Sequence, residues 1–195
     1  MEKSIEFIEE THSYLYNGVL IPSVSELIRF KFKDAYKGIP EKTLKKKAKY
    51  GSLTHDYIER FIKGEFTLEE LNKKRIDPDI KLAVENFEYH RKQWAFHIKD
   101  MERIVDFHGR YAGTFDLLTV DDYVIDIKTT TEVHEEWLSY QLGLYAKALG
   151  LTKDFHYCMW LPKGKTGKVI QINVPKDEEL ESLINDYEKT HIATT

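Results

Sequence analysis

The sequence has almost no cysteine and no long apolar run, and each absence excludes a class of protein. Cys158 is the single cysteine in 195 residues, which excludes an intramolecular disulfide, a CxxC zinc site and a four-cysteine iron–sulfur cluster. No apolar run approaches the roughly 18–20 residues that a membrane helix needs. Residues 1–6 also lack the apolar core of a signal peptide. These absences predict a cytoplasmic protein with no membrane segment and no iron–sulfur cluster.

An excess of positive charge is also absent. The chain carries 29 Lys and Arg against 33 Asp and Glu, a net charge of −4, which argues against a protein that coats DNA by bulk charge. Lysines still gather in residues 42–49 and again in residues 163–168. The second segment lacks the GxxxxGK[ST] spacing of a P-loop and is predicted to be a hairpin turn. Each segment can bind phosphates locally through its lysines, but a solvent-exposed face explains the clustering of lysines as well.

Turn, capping and periodicity signals divide the chain into strands and helices. They predict a hairpin in residues 12–21, helices beginning at Ser23, after Ser52 and at Asp77, strands in residues 101–107, 111–120 and 123–129, a helix in residues 131–149, strands in residues 155–161 and 168–174, and a final helix in residues 177–190. Hydrophobic residues make up 42% of the chain, enough for a buried core. The interleaved order predicts a single α/β domain over residues 1–195, with a mixed central β-sheet flanked by helices.

The most informative chemical pattern is two carboxylates and a lysine on neighbouring predicted strands. Residues two apart in a strand point to the same face, so Asp126 and Lys128 share a face, and Ile127 points into the core. Asp116 lies on the preceding strand, which pairs with theirs through a hairpin. Adjacent carboxylates repel, and a hard divalent cation removes that penalty. Such a cation can activate water and stabilise the charge that builds on a phosphate, and a lysine beside it can orient the water or neutralise the same charge.

A surface salt bridge between Asp126 and Lys128 is the alternative explanation. Against it, Val124, Ile125 and Ile127 are residues of the buried β-branched type, and charges in an inner strand usually have a partner or a function. A carboxylate-pair glycosidase is a more distant alternative, because its acid and base need no lysine two residues from one of them.

These residues resemble the core of the PD-(D/E)XK nuclease superfamily, in residues 113–116 (Gly-Thr-Phe-Asp) and 126–130 (Asp-Ile-Lys-Thr-Thr). Three further features are similar to its RecB-like and phage (lambda-type) exonuclease branch. They are a Gly-x-x-x-His motif at residues 51–55, a Gln-x-x-x-Tyr motif at residues 141–145, and Glu102, one strand before the Gly-Thr-x-Asp motif. The matches keep the expected order, and residues 51–145 are therefore predicted to hold the core of a nuclease domain with a restriction-endonuclease-like fold.

The resemblance implies a role for each residue of the two-strand pattern. Asp116 and Asp126 are implied to be the main metal ligands, and the carbonyl of Ile127 is implied as a backbone ligand. Lys128 is implied to be the catalytic lysine. Cys158 matches no motif and is expected to be a core residue among aromatics.

The remaining motif residues have structural alternatives. His55 is implied to reach the metal site as a ligand or as a neighbour of one, although a histidine beside an apolar helical stripe is often a packed residue. Glu102 is implied to bind a metal directly or through water, although its strand alternates in a mixed pattern. Gln141 and Tyr145 share a helix face and are implied to support the site or contact the DNA strand, although Tyr145 is equally consistent with a core position. Glu59 is a further acidic candidate, which a solvated helix face explains as well.

The function that the resemblance implies is a Mg²⁺- or Mn²⁺-dependent DNA exonuclease of the phage recombination and repair type. It implies DNA as the partner, as a linear duplex end or a single strand, a single-strand annealing protein as a candidate protein partner, and the cytoplasm of a bacterial or phage-infected host. Lys45, Lys46 and Lys47 precede the histidine helix and are expected to steer DNA into the site. The alternatives are a structure- or sequence-specific endonuclease of the same fold and a catalytically inactive DNA-binding module.

Overall fold

The structure is a computed structural model that describes residues 4–33 and 41–192, and the side chains of residues 4–33 and 48–191. The strands of these residues form a three-stranded sheet, β1-β2-β3, and a five-stranded sheet, β4-β5-β6-β7-β8. The elements, in chain order, are β1 (Ile5–Ile8), β2 (Ser13–Tyr16), β3 (Val19–Ile21), α1 (Val24–Lys31), α2 (Glu41–Ile62), α3 (Leu68–Lys73), α4 (Pro78–Gln93), β4 (Ile98–Asp106), β5 (Ala112–Thr119), β6 (Val124–Lys128), α5 (Glu135–Ala148), β7 (Phe155–Trp160), β8 (Lys168–Asn173) and α6 (Asp177–Ile192).

The three-stranded sheet is the predicted N-terminal hairpin with one strand added outside it. Asn17 has a φ of +51° at the predicted turn, and β1 pairs antiparallel with β2. Ser23 then caps α1, because its hydroxyl accepts from the amide of Glu26 while the Glu26 carboxylate accepts from the amide of Ser23 at 2.7 Å. Buried Tyr14 packs against Ala112 of β5. The N-terminal sheet therefore forms a wall beside the larger sheet.

The five-stranded sheet is mixed because one of its strand pairs is parallel. β4, β5 and β6 form the antiparallel meander that the sequence predicts. β6 and β7 pair in parallel, which requires a crossover connection, and α5 provides it. β8 returns antiparallel to β7. The prediction of an α/β fold with a mixed central sheet flanked by helices is confirmed.

Helices cover both faces of this sheet. Leu118 and Val124 pack on one face with residues of α1, α5 and α6. Leu117 and Ile125 pack on the other face with residues of α2, α3 and α4. Neighbouring residues such as Leu117 and Leu118 thus face opposite layers, and Leu118 of β5 and Val124 of β6 face the layer that contains α5. Within the described residues, no helix combines the length and the apolar character needed to cross a membrane.

Several boundaries differ from the sequence predictions. The short elements β1 and α3 are additional to them. α2 begins at Glu41 rather than after Ser52, so Gly51 lies inside a helix, where glycine costs only about 1 kcal/mol relative to alanine. β4 begins at Ile98 rather than at residue 101, and α5 begins at Glu135 rather than at residue 131. Periodicity identifies the type of an element, but it does not locate the ends.

His156 on β7 is a buried histidine whose ring is neutral in the fold. Its side chain is fully buried, and Nδ1 accepts a hydrogen bond from the backbone N–H of Val124 at 3.2 Å. Burial lowers the pKa of His156 to about 4, and Lys153 adds to the effect. An unfolded histidine titrates near pH 6.5, so the unfolded chain binds more protons between these two values. The contribution of His156 to the free energy of unfolding is therefore fully present above pH 6.5, and it is lost as the pH is lowered toward 4.

Replacing His156 with Asn should remove this pH dependence, because Asn keeps an acceptor at the δ position and does not titrate. We expect His156→Asn to be less stable than the parent protein at pH 7.5. Between pH 7.5 and pH 5 the difference in free energy of unfolding should shrink by roughly 2 kcal/mol. Urea unfolding at the two pH values measures it, and a difference that stays constant would contradict the neutral buried ring.

Candidate active site

Three acidic side chains from neighbouring strands converge beside a histidine of α2. The β4–β5 pairs Met101–Leu117 and Arg103–Phe115 flank Glu102 and Asp116, and the β5–β6 pair Leu117–Ile125 adjoins Asp116 and Asp126. Asp126 is buried, Asp116 is half-buried and Glu102 is exposed. His55 reaches this row from α2. The alternation of β5 and β6, together with the hairpin that joins them, thus brings the predicted carboxylates together.

The imidazole of His55 lies between a carbonyl and two carboxylates. Its Nε2 lies 3.1 Å from the carbonyl oxygen of Ile127, and its Nδ1 lies 3.6 Å from both Glu102 Oε1 and Asp116 Oδ1. With the proton on Nε2, the ring donates to the carbonyl and directs the Nδ1 lone pair toward the carboxylates. Burial disfavours the charged ring, but Asp116, Glu102 and Asp126 outweigh burial and raise the pKa of His55 to about 9. The pocket therefore attracts a proton or another cation.

The ligand atoms of His55, Glu102 and Asp116 all lie within 4.8 Å of one another. This spacing is compatible with a single cation, and two carboxylates and an imidazole are a donor set that a divalent metal accepts. Burial raises the pKa of Asp116, with Glu102 adding to the effect and His55 and Lys128 opposing it. A divalent cation would offset the cost of holding these charges together. The residues present therefore fit a metal site.

Lys128 is the counter-ion of the buried Asp126. Its Nζ lies 2.9 Å from Oδ1 and 2.7 Å from Oδ2 of that carboxylate, and it also donates to Gln141 Oε1 at 3.2 Å. Burial disfavours the ammonium, but Asp126 and Asp116 outweigh burial and raise the pKa of Lys128. Burial raises the pKa of Asp126 to about 6, although Lys128 opposes the rise. The lysine is therefore charged, and Gln141 fixes its direction.

Two glycines of the predicted motifs allow close approaches around the site. A Cβ on Gly113 would lie 2.8 Å from Tyr145 Cε1 and 3.0 Å from a methyl of Val24. A Cβ on Gly51 would lie 3.3 Å from Thr129 Oγ1 at the end of β6. The first glycine admits the ring of Tyr145, and the second lets α2 approach closely enough to present its histidine.

Glu102 has a left-handed backbone conformation, with a φ of +46°. This region is uncommon for residues other than glycine, and such conformations cost about 1–3 kcal/mol and cluster at functional sites. The neighbouring pairs of β4 and β5 keep their register around it. The strained backbone coincides with the residue that presents the third carboxylate.

A cleft of about 210 Å³ opens beside this row of carboxylates. Its wall includes Tyr14, whose hydroxyl lies 3.0 Å from Thr114 Oγ1, and Tyr145, which is buried. The complete lining is His12, Tyr14, Ser23, Val24, Ser25, Glu102, Gly113, Thr114 and Tyr145. The N-terminal sheet thus contributes to the candidate active site, because Tyr14 and His12 border the same cleft as Glu102.

The structure brings together most of the residues that the sequence analysis singles out. His55, Glu102, Asp116, Asp126, Ile127, Lys128 and Gln141 form one contact network. Tyr145 lies beside Gln141, and burial raises its pKa well above the usual value. Glu59 instead pairs with Lys63 at 2.6 Å. The side chains of Lys45, Lys46 and Lys47 lie outside the described residues. The expected metal ligands Asp126 and Ile127 contact Lys128 and His55, and their roles remain predictions.

Sequence reasoning missed the contribution of Tyr14 and assigned no role to Thr114. Thr114 lies two residues before Asp116 on β5, so strand alternation could have placed it on the site face. Tyr14 is 100 residues away in the chain from Thr114, and no local signal links the two. Cys158 is buried as expected, and burial raises the pKa of its thiol, which argues against a nucleophilic role.

Comparisons with known proteins find distant likenesses among solved structures. No family model matches the chain, and no curated protein matches it. Among solved structures, the crystal structure of SSO0001 is similar at a TM-score of 0.39 and 14% identity, over 87% of this chain and 85% of that one. An alkaline exonuclease (LHK-Exo) from Laribacter hongkongensis is similar at a TM-score of 0.44 and 12% identity, over 71% of this chain and 79% of that one.

Proposed function

We propose that the chain is a metal-dependent nuclease that hydrolyses phosphodiester bonds of DNA, and specifically an exonuclease. One observation carries the proposal: the ligand atoms of His55, Glu102 and Asp116 lie within 4.8 Å of one another, beside the Asp126–Lys128 ion pair. The order and spacing of the PD-(D/E)XK-like motifs support the same activity. The assignment to the lambda-type exonuclease branch, and to a single nuclease domain over residues 1–195, forms part of this proposal.

Each residue has a separate task in this scheme. His55, Glu102 and Asp116 would hold a Mg²⁺ or Mn²⁺ ion, with Asp126 and the Ile127 carbonyl as further oxygen donors. The ion, when bound, supplies activation of a water and stabilisation of charge on the phosphate.

Lys128 would neutralise negative charge that develops on the phosphate. Gln141 accepts a hydrogen bond from its ammonium at 3.2 Å, which limits the directions that the ammonium can take. Tyr145 lies beside that amide, and its ring packs against Gly113 in the wall of the cleft.

The substrate in this proposal is a linear duplex end or a single strand of DNA, in the cytoplasm of a bacterial or phage-infected host. Lys45, Lys46 and Lys47 would steer the strand toward the site. A role in phage recombination or repair would pair the enzyme with a single-strand annealing protein.

The deciding experiment is a cleavage assay on three substrates. End-labelled linear duplex, single strand and closed circle are each incubated with Mg²⁺, Mn²⁺ or EDTA. We expect metal-dependent loss of linear DNA with the circle intact, and the label that is released first gives the polarity. Cleavage of the circle would show an endonuclease instead. Binding of DNA with no cleavage in either metal would show a binding module and overturn the enzyme.

A further inference from the structure

A row of three paired residues crosses the last strands of the sheet beside the candidate active site. Lys128 of β6 pairs in register with Trp160 of β7, and Trp160 pairs with Lys168 of β8. Residues in register on adjacent strands lie about 5 Å apart and point to the same face. Lys168 is therefore about 10 Å from Lys128, measured between Cα atoms. The row continues the active-site face in the direction away from the carboxylates.

Trp160 has a fixed orientation in this row. Its Nε1 donates to the carbonyl oxygen of Thr130 at 2.7 Å, and the side chain packs against the core that contains α5. The ring remains partly exposed. Lys168 places its Nζ 5.3 Å from the indole centroid, which is a cation–π distance. The indole therefore holds an exposed ammonium on the active-site face.

The β7–β8 loop, which contains Lys163 and Lys165, is held by contacts to α4. Lys163 Nζ lies 3.2 Å from Asp79 Oδ2, and the carbonyl of Lys165 accepts from Asn86 Nδ2 at 3.2 Å. These contacts tie the loop to α4, in the opposite layer. In the part of the chain that the structure describes, Lys168 makes no ion pair with a carboxylate. Its charge is thus available to an anion from outside.

The two halves of the active-site face have opposite chemistry. β4, β5 and β6 present carboxylates, which repel a polyanion except where a cation lies between them. β7 and β8 present an indole and an ammonium, which are the groups that bind bases, sugars and phosphates of a nucleic-acid strand. A strand whose phosphate is cleaved beside Lys128 must continue past one side of the site, and this side attracts it.

We propose that Trp160 and Lys168 bind the backbone of the substrate strand next to the phosphate that is cleaved. Lys168 contacts a neighbouring phosphate, and Trp160 holds its ammonium and packs against the adjoining nucleotide. This inference rests on the proposed nuclease function, because it uses the position of Lys128 as the reference point. It identifies the ligand as a nucleic-acid strand that runs from β6 toward β8.

The salt dependence of binding tests this contact. Binding of a fluorescent single-stranded oligonucleotide is measured in EDTA, so that no cleavage occurs, over a series of KCl concentrations. Loss of one phosphate contact should reduce the slope of log Kd against log salt by about 0.7 for a single strand. We expect this change in Lys168→Gln. Lys73→Gln is the matched control, because Lys73 lies on α3 in the opposite layer and pairs with Glu69 at 2.6 Å.

Two further readouts separate binding from folding. In the metal-dependent cleavage assay, Lys168→Gln should raise KM and leave kcat unchanged, as expected for a contact made equally in the ground and transition states. Trp160→Leu should weaken binding by about tenfold, and Trp160→Phe should retain most of it. If the wild-type protein cleaves DNA and the slope of log Kd against log salt is the same in Lys168→Gln as in the wild type, this inference alone is overturned. A wild-type protein that neither binds nor cleaves DNA would overturn the proposed function itself.

Discussion

Replacement of Asp116 by Asn is expected to lower the cleavage rate by about 10³-fold while the metal-free protein becomes more stable. Asp116 Oδ2 accepts a hydrogen bond from the amide of Ile127 at 2.6 Å, and an Asn oxygen can keep that bond. Asn does not keep the negative charge, however. Burial and Glu102 raise the pKa of the Asp116 carboxyl, so its charged form is unfavourable in the metal-free fold. Loss of the charge removes an unfavourable interaction from the fold and a ligand from the site.

The stability of this variant in the presence of metal tests the metal site without an activity assay. A ligand at 100 times its Kd stabilises the native state by about 2.7 kcal/mol, which raises the Tm of a protein of this size by about 5–10 °C. We expect Mn²⁺ or Mg²⁺ to shift the wild-type Tm and to leave Asp116→Asn unchanged.

Asp186→Asn is the matched control for this pair of measurements. Asp186 is exposed on α6 and lies 3.6 Å from Lys189, away from the site. It should cleave DNA and respond to metal like the wild type. If the metal raised the Tm of Asp116→Asn as much as it raised the Tm of the wild type, the cation would bind elsewhere, whatever the cleavage assay showed.

Replacement of Lys128 by Met is expected to reduce cleavage strongly and also to destabilise the fold. Removing one partner of a buried ion pair typically costs 3–5 kcal/mol, because the other charge is left uncompensated. Lys128 has 31% of its side chain exposed while Asp126 has 3%, so we expect a smaller loss, of about 2–3 kcal/mol. Cleavage should fall by about 10³-fold. Urea unfolding and single-turnover kinetics measure the two effects.

A double-mutant cycle then separates charge pairing from packing. Asp126→Asn should have little effect on stability, because an unpaired Lys128 can turn toward water. The double variant Asp126→Asn/Lys128→Met should recover most of the stability that Lys128→Met loses, and it should remain inactive. Additive losses in the double variant would show that Lys128 contributes by packing rather than by its charge.

The pH dependence of this cycle has a definite sign. The pKa of Asp126 is raised to about 6 in the fold, against about 3.9 for an unfolded aspartate. Between these pH values the folded chain therefore binds more protons than the unfolded chain. The contribution of Asp126 to stability is lost as the pH rises through 6. Without Lys128 the folded pKa rises further, so the loss in Lys128→Met should be smaller at pH 5 than at pH 8.

The sequence predicts the layers and the order of the strands better than their ends. Alternation in residues 111–129 predicts the meander, because its turns at His108-Gly109 and Asp121-Asp122 are local signals. The parallel pairing of β6 with β7 has no such signal, since it depends on how α5 packs. α2 extends to Glu41 through a lysine-rich stretch, in which no apolar stripe marks a helix.

The sequence predicts which residues belong to the candidate site, but not what each one contacts. The alternation of side chains along a strand places Asp126 and Lys128 on one face, and this explains why they can form an ion pair. It does not predict that the His55 ring faces the Ile127 carbonyl with Nε2 and the acidic residues with Nδ1, because that depends on where α2 crosses the end of β6. It also gives no sign of the φ at Glu102.

The left-handed backbone at Glu102 belongs to the candidate active site, but it lowers the stability of the fold. A redesign of the sequence for maximum thermal stability would replace this glutamate with glycine or asparagine, and would neutralise the aspartate opposite it, before changing any core residue. An optimised chain would keep its sheet and its helices, but it would lose its attraction for a cation. Thermostabilising substitutions in this protein are therefore best sought on the layer of α3 and α4, away from the face that α5 covers.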